Sequence, residues 1–315
     1  MNPIVGIGEV LWDVYPDGRK VAGGAPFNFA FHCHQLGHPA VIVSRVGDDD
    51  LGRELREGVC RLGLCDEYIQ TDREHPTGTV RVTLDENKVP TYTITENVAW
   101  DYIEWNEQLE TLAKDIPAVC FGTLAQRANK SCETITNFIK AAKSGLRIFD
   151  VNFRCPPAEV IPKVHALVGG FWTEVPGVVD WFKVNQDEFG VLMDELIATS
   201  NIDWEPGRKQ SPLQYLFDTG RDTRKVGILT RGSKSTAIHD WQRTEWIPTA
   251  PANVVDTVGA GDAFTAAMVC LHLEGRPLRE CARFANHYAA RVCEHQGGTP
   301  KIDRAEIERA AFGGR

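Results

Sequence analysis

Short apolar runs alternate with amphipathic segments along most of this chain, and no other feature limits its fold as strongly. The strand candidates are "PIVGIGEVLWDV", "AVIVSRVG", "AVCFGTL", "LRIFDVNF", "WFKVN" and "KVGILTR". Between them, "DDDLGRELREGVCRLG" places Leu51, Leu55 and Val59 on one helical face, and "SCETITNFIKAAKSG" behaves likewise. Strands joined through helices in this way call for an α/β fold, with a mostly parallel central sheet and helices on both faces. A chain of 315 residues with 43 % apolar content can bury the core that such a sheet needs. No internal repeat, low-complexity tract or long linker divides it, so a single domain over residues 1–315 is expected.

One region breaks the rhythm. "TGTVRVTLDENKVPTYTITEN" alternates with period two around a turn-like "DENK" and reads as an antiparallel hairpin with one polar face. With a further strand between "DVYPDG" and Val21, it would form a small β lid over a cleft, its strands at about residues 10–22 and 77–98. Open edges of such a sheet also offer a second copy of the chain a surface for pairing into a homodimer.

The net charge of −9, with Lys and Arg scattered, argues against a nucleic-acid partner. No stretch approaches the roughly 18 apolar residues of a membrane span, so no membrane partner is expected. Glu9 and Asp13 interrupt the first apolar run, which does not read as a signal peptide. Nine cysteines without a C-x-x-C pair point to free thiols in a reducing, cytoplasmic setting. The "HCH" at His32 to His34 puts neighbouring side chains in different directions on a helix, a poor geometry for one metal.

Two glycine clusters carry the chemistry. "DTVGAGDAFTAAMV", Asp256 to Val269, sets Gly259, Ala260 and Gly261 at the mouth of a helix, where bare N–H groups and dipole charge suit an anion. Taken alone, it reads equally well as a tight turn with an Asp N-cap. "VAGGAPFNFAFHCHQLG", Val21 to Gly37, offers close backbone approach at Gly23 and Gly24 and an amide at Asn28. Asp13, at the end of the first strand, would converge with Asn28 beyond the strand ends as a hydroxyl-binding pair. Alone, this too reads as a loop and cap.

Together, "AGGAPFNFAFHCHQLG", "RVGDDDLGRELREGVCRLG" and "DTVGAGDAF" resemble the ribokinase-like, or PfkB, family of carbohydrate kinases. The resemblance runs from about Val5 to Pro300. "GEVLWDVYPDG", "PTGTVRVTLDE", "NVAWDYI", "FGTLAQR", "IFDVNFR" and "ILTRGSKS" are similar to the bacterial fructokinase branch. The resemblance implies a ribokinase-like fold and transfer of the γ-phosphoryl group of ATP to a sugar hydroxyl, D-fructose first among the acceptors. It makes Asp262 the catalytic base, with Gly259, Ala260 and Gly261 as the anion hole. Asp13, Gly23, Gly24 and Asn28 become sugar contacts, and Asn152 and Arg154 of "DVNFR" line the path between substrate and phosphate. Asn185 and Glu188 of "KVNQDE" would organise Mg²⁺ and its waters. Thr230, Gly232 and Asn286 would line the nucleotide site. Asp256 and the backbone of Val258 would form one side of a K⁺ site, closed by the stretch from Cys293 to Gly298.

Phe27 departs from the small residue common at its position, and implies a bulkier wall beside the sugar. The acceptor remains open to 2-keto-3-deoxygluconate, ribose or another polyol. A non-catalytic sugar sensor is disfavoured by the intact Asp262, Gly259 and Gly261. A dinucleotide-dependent oxidoreductase is disfavoured because no G-x-G-x-x-G follows the first strand.

Overall fold

A computed structural model describes residues 2–84, 90–168, 178–199, 225–240 and 243–313. Its large sheet takes β1 (Ile4–Ile7), β4 (Ala40–Gly47), β5 (Ile69–Asp72), β8 (Ala118–Phe121), β9 (Leu146–Asp150), β10 (Trp181–Asn185) and β11 (Val226–Thr230), all parallel. β12 (Ser235–His239) and β13 (Thr244–Pro248) extend it antiparallel, giving nine strands in the order β13-β12-β11-β10-β9-β8-β1-β4-β5.

Alternation along these strands feeds two cores. Ile4, Ile42, Cys120, Ile148 and Trp181 join the cluster built with α1 (Ala25–Gln35), α2 (Asp50–Arg61), α7 (Ala260–Leu273), α8 (Leu278–Val292) and α9 (Arg304–Phe312). Val5, Val43, Val119, Phe149 and Phe182 join the opposite cluster, with α3 (Glu107–Lys114), α4 (Asn129–Ala141), α5 (Pro157–Val168) and α6 (Gln186–Thr199). Successive side chains of these continuous apolar runs point to opposite faces, so the sheet is buried on both sides, as an α/β sheet requires.

A second sheet of four strands has the order β3-β2-β6-β7, from β2 (Leu11–Val14), β3 (Lys20–Gly23), β6 (Thr79–Leu84) and β7 (Pro90–Ile94). Its two hairpins are antiparallel, and β2 joins β6 in parallel. The "DENK" turn lies outside the described residues. The run "PIVGIGEVLWDV" proves to be two strands in two sheets. The chain leaves the large sheet after Ile7, and the Glu9 carboxylate accepts from Ala25 N at 3.1 Å, tying this break to the start of α1.

"AWD" and "LAQR" meet at the root of the small sheet. Arg127 gives Asp101 two hydrogen bonds of 2.8 Å, lies 4.0 Å from the Trp100 ring centre, and donates to Thr95 O just past β7. Arg127 is 14 % exposed and Asp101 4 %, so removing one partner strands a buried charge. Arg127→Met is expected to cost about 3–5 kcal/mol of stability. An unchanged urea midpoint would contradict this anchoring role.

No described helix is long and apolar enough to cross a membrane. All nine cysteines are free.

Candidate active site

The mouth of α7 is open by construction. Gly259 occupies its N-cap at φ 74°, a conformation that suits glycine, and no side chain caps the helix. A Cβ there would come within 2.5 Å of the Gly298 Cα, so this backbone approach is closed to other residues. Among the described residues, the Gly259, Gly261 and Asp262 amides have no hydrogen-bond acceptor, and the Ala260 amide reaches only Thr257 O at 3.3 Å. Orphan donors at a helix N-terminus are the elements of an anion site.

Asp262 is not the N-cap. It stands three residues further on, buried, and accepts from Asn28 Nδ2 at 2.8 Å. The helix end alone favours an ionised carboxylate, but burial prevails and lifts its pKa to about 7. Asp150 pushes the same way, while the Asn28 bond, Lys183 and Arg154 oppose. That value leaves a base able to hold a proton near neutral pH.

Asp13 does not end the first strand; it belongs to β2 of the small sheet. Its Oδ2 lies over Gly23, where a Cβ would meet it at 2.9 Å. Burial raises its pKa to about 6 against the pull of Arg154. Gly24 starts α1 at φ 117°, with the Glu9 carbonyl 2.4 Å from where its Cβ would be. Asn28 Oδ1 and Glu9 Oε2 are buried without a hydrogen-bond partner among the described residues. Burial lifts Glu9 to about 7, and it feels both Asp262 and Arg154. The exposed Arg154 thus serves as a shared cation for Glu9, Asp13 and Asp262. Asn152, beside it, holds φ 44°, uncommon outside glycine.

Phe27 forms no wall of this site. It is fully buried in the core shared with α7 and α8. His32 is buried as well, 3.0 Å from the Tyr288 hydroxyl and 2.9 Å from Gly298 O. Burial lowers its pKa to about 4, which keeps the ring neutral.

At the end of β10, Asn185 caps α6 by accepting from the Asp187 and Glu188 amides, both at 2.9 Å. Glu188 returns the contact, Oε2 accepting from Asn185 N at 2.9 Å, which completes a capping box. Its other oxygen accepts from Phe153 N at 2.9 Å, linking this cap to the Asn152–Arg154 turn. Thr230 pairs in register with Asn185 at the end of β11. Gly232 follows in the hairpin and accepts from Thr249 Oγ1 at 3.0 Å. Asn286 is buried on α8, where its amide takes a bond from Thr236 Oγ1 and donates to Pro248 O. Its polar atoms are committed to the scaffold that carries β12 and β13.

Asp256 bridges two loops, with Oδ1 accepting from Val258 N at 3.0 Å and Oδ2 from Gly297 N at 2.9 Å. The Cys293 carbonyl accepts from both Val255 N and Asp256 N. The loop before α7 and the 293–298 stretch therefore form one unit.

Glu9, Asp150 and Lys183 had no site role in the sequence reading. Lys183 and Asp150 are register partners on β10 and β9, joined by hydrogen bonds of 2.9 and 2.8 Å. Lys183 is the one charge of β10, and Asp150 is the last residue of β9, at the strand ends where α/β sheets place ligands. That signal was available in "WFKVN" and "LRIFD".

The chain belongs to the pfkB family of carbohydrate kinases, whose model matches residues 15–305. It is 28 % identical to the sugar kinase PH1459 of Pyrococcus horikoshii, over 95 % of this chain and 93 % of that protein. The crystal structure of PH1459 in complex with ATP, called an uncharacterized sugar kinase, superposes with a TM-score of 0.76, covering 97 % of both chains. Fructokinase-2 of Oryza sativa is 26 % identical over 97 % of this chain and 92 % of its own. Arabidopsis thaliana ribokinase, solved with ribose and ATP, superposes at a TM-score of 0.78 with 21 % identity and 99 % of both chains covered. The fold is ribokinase-like, and the chain is a phosphotransferase that acts on a sugar.

Proposed function

We propose that the acceptor is D-fructose, phosphorylated by ATP to fructose 6-phosphate. The observation that carries the chemistry is the buried Asp262 carboxylate beside amides that lack acceptors at the mouth of α7. The name of the rice relative and the fructokinase-like sequence pieces support fructose.

In this reading, Asp13, Asn28 and Arg154 hold the sugar, with Gly23, Gly24 and Asn152 shaping the backbone around it. Asp262 takes the proton from the sugar hydroxyl as its oxygen bonds to the γ-phosphorus. The bond from that phosphorus to the bridging oxygen breaks, and ADP leaves. Gly259, Ala260 and Gly261 meet the charge on the transferring oxygens, the kind of stabilisation such loose transition states need. Thr230, Gly232 and the scaffold around Asn286 carry the nucleotide. The small sheet excludes water, which would otherwise compete for the phosphoryl group.

Both Glu188 oxygens already accept backbone amides, so this residue suits Mg²⁺ through a water better than by direct coordination. When bound, Mg²⁺ neutralises phosphate charge and keeps much of its own water.

ADP release across a panel of sugars and keto acids tests the acceptor. Fructose is expected to give the highest kcat/KM, since sites built around hydroxyls reject analogues that lack them. A much higher value for 2-keto-3-deoxygluconate or ribose would overturn the assignment.

Asp256, the Val258 backbone and the 293–298 stretch would hold a K⁺ that keeps the α7 mouth in shape without touching the sugar; what supports this is that Asp256 already ties the two loops together. Replacing K⁺ with tetramethylammonium is expected to lower kcat. Equal rates in the two salts would remove the cation from the mechanism.

A further inference from the structure

Behind the mouth of α7, two charged side chains are buried together in the sheet. Lys183 Nζ reaches both Asp150 oxygens, and the two side chains are only 6 % and 9 % exposed. Burying such a pair costs desolvation that its own attraction often fails to recover, so stability alone explains it poorly. Its connections lead to α7. Thr265 Oγ1 lies 2.8 Å from Asp150 Oδ2 and 3.0 Å from Gly261 O, so its one proton serves both acceptors. A Cβ at Gly261 would stand 3.5 Å from Lys183 Nζ, which puts the ammonium against the first turn of the helix. Its third proton has no acceptor among the described residues. Asp150 and Asp262 also line one small cavity with Pro26, Cys120 and Gly122.

The surrounding charges are mostly negative. Asp150, Glu188 and Asp262 face Lys183, and Glu9, Asp150 and Arg154 face Asp262. Cys120 contributes a thiol from β8, with its pKa pushed well up by burial and therefore neutral. Lys183 is thus the one buried cation among the described groups that act on Asp262.

We propose that Lys183 is a positioning residue for phosphoryl transfer. Held by Asp150, it sets a fixed positive charge against the first turn of α7 and, through Asp150 and Thr265, locks the Gly261 peptide in place. This rests on reading the α7 mouth as the phosphoryl site. The charge helps most when negative charge builds up in the transition state, so its loss lowers kcat and leaves ground-state sugar binding alone.

Three variants test the proposal. Lys183→Arg keeps the cation. Asp150→Asn/Lys183→Gln keeps a hydrogen-bonded pair without charge. Thr265→Val cuts the link to Gly261 at nearly constant volume. The neutral pair is expected to lose about 10²-fold in kcat, as when an oxyanion-hole donor is removed, with sugar KM nearly unchanged. Lys183→Arg should retain kcat to within about tenfold, and Thr265→Val should fall between the two. The proposal is overturned if the neutral pair, with ADP binding intact, keeps kcat within about tenfold of wild type. It is equally overturned if Lys183→Arg and Thr265→Val show that neither charge nor linkage matters: the first falling as far as the neutral pair, the second unchanged. If Asp262→Asn loses activity while the neutral pair keeps it, the kinase reading stands and Lys183 leaves it. A wild-type protein that phosphorylates no sugar removes the reading itself.

Discussion

Asp262→Asn is expected to lower kcat by about 10²–10⁴-fold, the usual contribution of a general base. ADP affinity should be unchanged, because the amide keeps the side-chain shape and its oxygen can still accept from Asn28. The pH profile separates this role from a merely structural one. With a pKa near 7, Asp262 is ionised above neutrality and protonated below it. Wild-type kcat should therefore fall about tenfold per pH unit on the acid side, and that limb should be missing from the variant. Stability moves the other way. A carboxyl whose pKa is raised by folding binds its proton more tightly in the native state, so it destabilises the fold increasingly as pH rises from the unfolded value near 4 towards 7. Asp262→Asn should consequently melt at or above the wild-type temperature at pH 8. A variant that keeps more than about a tenth of wild-type kcat would take the base role from Asp262.

Gly259→Ala is expected to damage both stability and rate. The residue holds φ 74°, and the new Cβ would meet Gly298 backbone atoms at 2.5 and 2.7 Å, which cannot move aside as a flexible side chain would. Left-handed backbone strain of this kind costs about 1–3 kcal/mol, before the clash is counted. Relief would separate the α7 mouth from the 293–298 stretch, with kcat expected to fall about 10²–10³-fold, as for a lost oxyanion-hole donor. Gly261→Ala is the control for stability. Its Cβ would meet only Lys183 Nζ at 3.5 Å, an ordinary contact, so the urea midpoint should hold. Equal midpoints for Gly259→Ala and Gly261→Ala would contradict the close approach at Gly298.

Much of this was legible in the residues. Strand–helix alternation implied the parallel sheet, because period-two and period-3.6 patterns follow from side-chain geometry. The hairpin at 77–97 was legible for the same reason. The glycine mouth and Asp262 stood out through composition, since glycine at a helix start needs an explanation. The lid range of about 10–22 holds Asp13, but the first strand was carried through to it because the apolar run through Gly8 and Val10 looks continuous, while the break after Ile7 is set by tertiary contacts to Pro26 and Ala25. The raised pKa of Asp262 was hidden because burial and the neighbouring Asp150 are properties of the fold. Lys183 and Asp150 are 33 residues apart, and only the adjacency of β9 and β10 makes them partners. Phe27 misled for a related reason: sequence gives the helix, while packing decides which way the ring points.

The most direct test of the account couples product to donor. Purified protein, ATP, Mg²⁺, K⁺ and D-fructose are incubated, and ADP and fructose 6-phosphate are measured separately, the sugar phosphate through isomerase and dehydrogenase coupling. Wild type is expected to form the two in equal amounts, and Asp262→Asn to form almost none of either. ADP without fructose 6-phosphate, or equal turnover by Asp262→Asn, would contradict it.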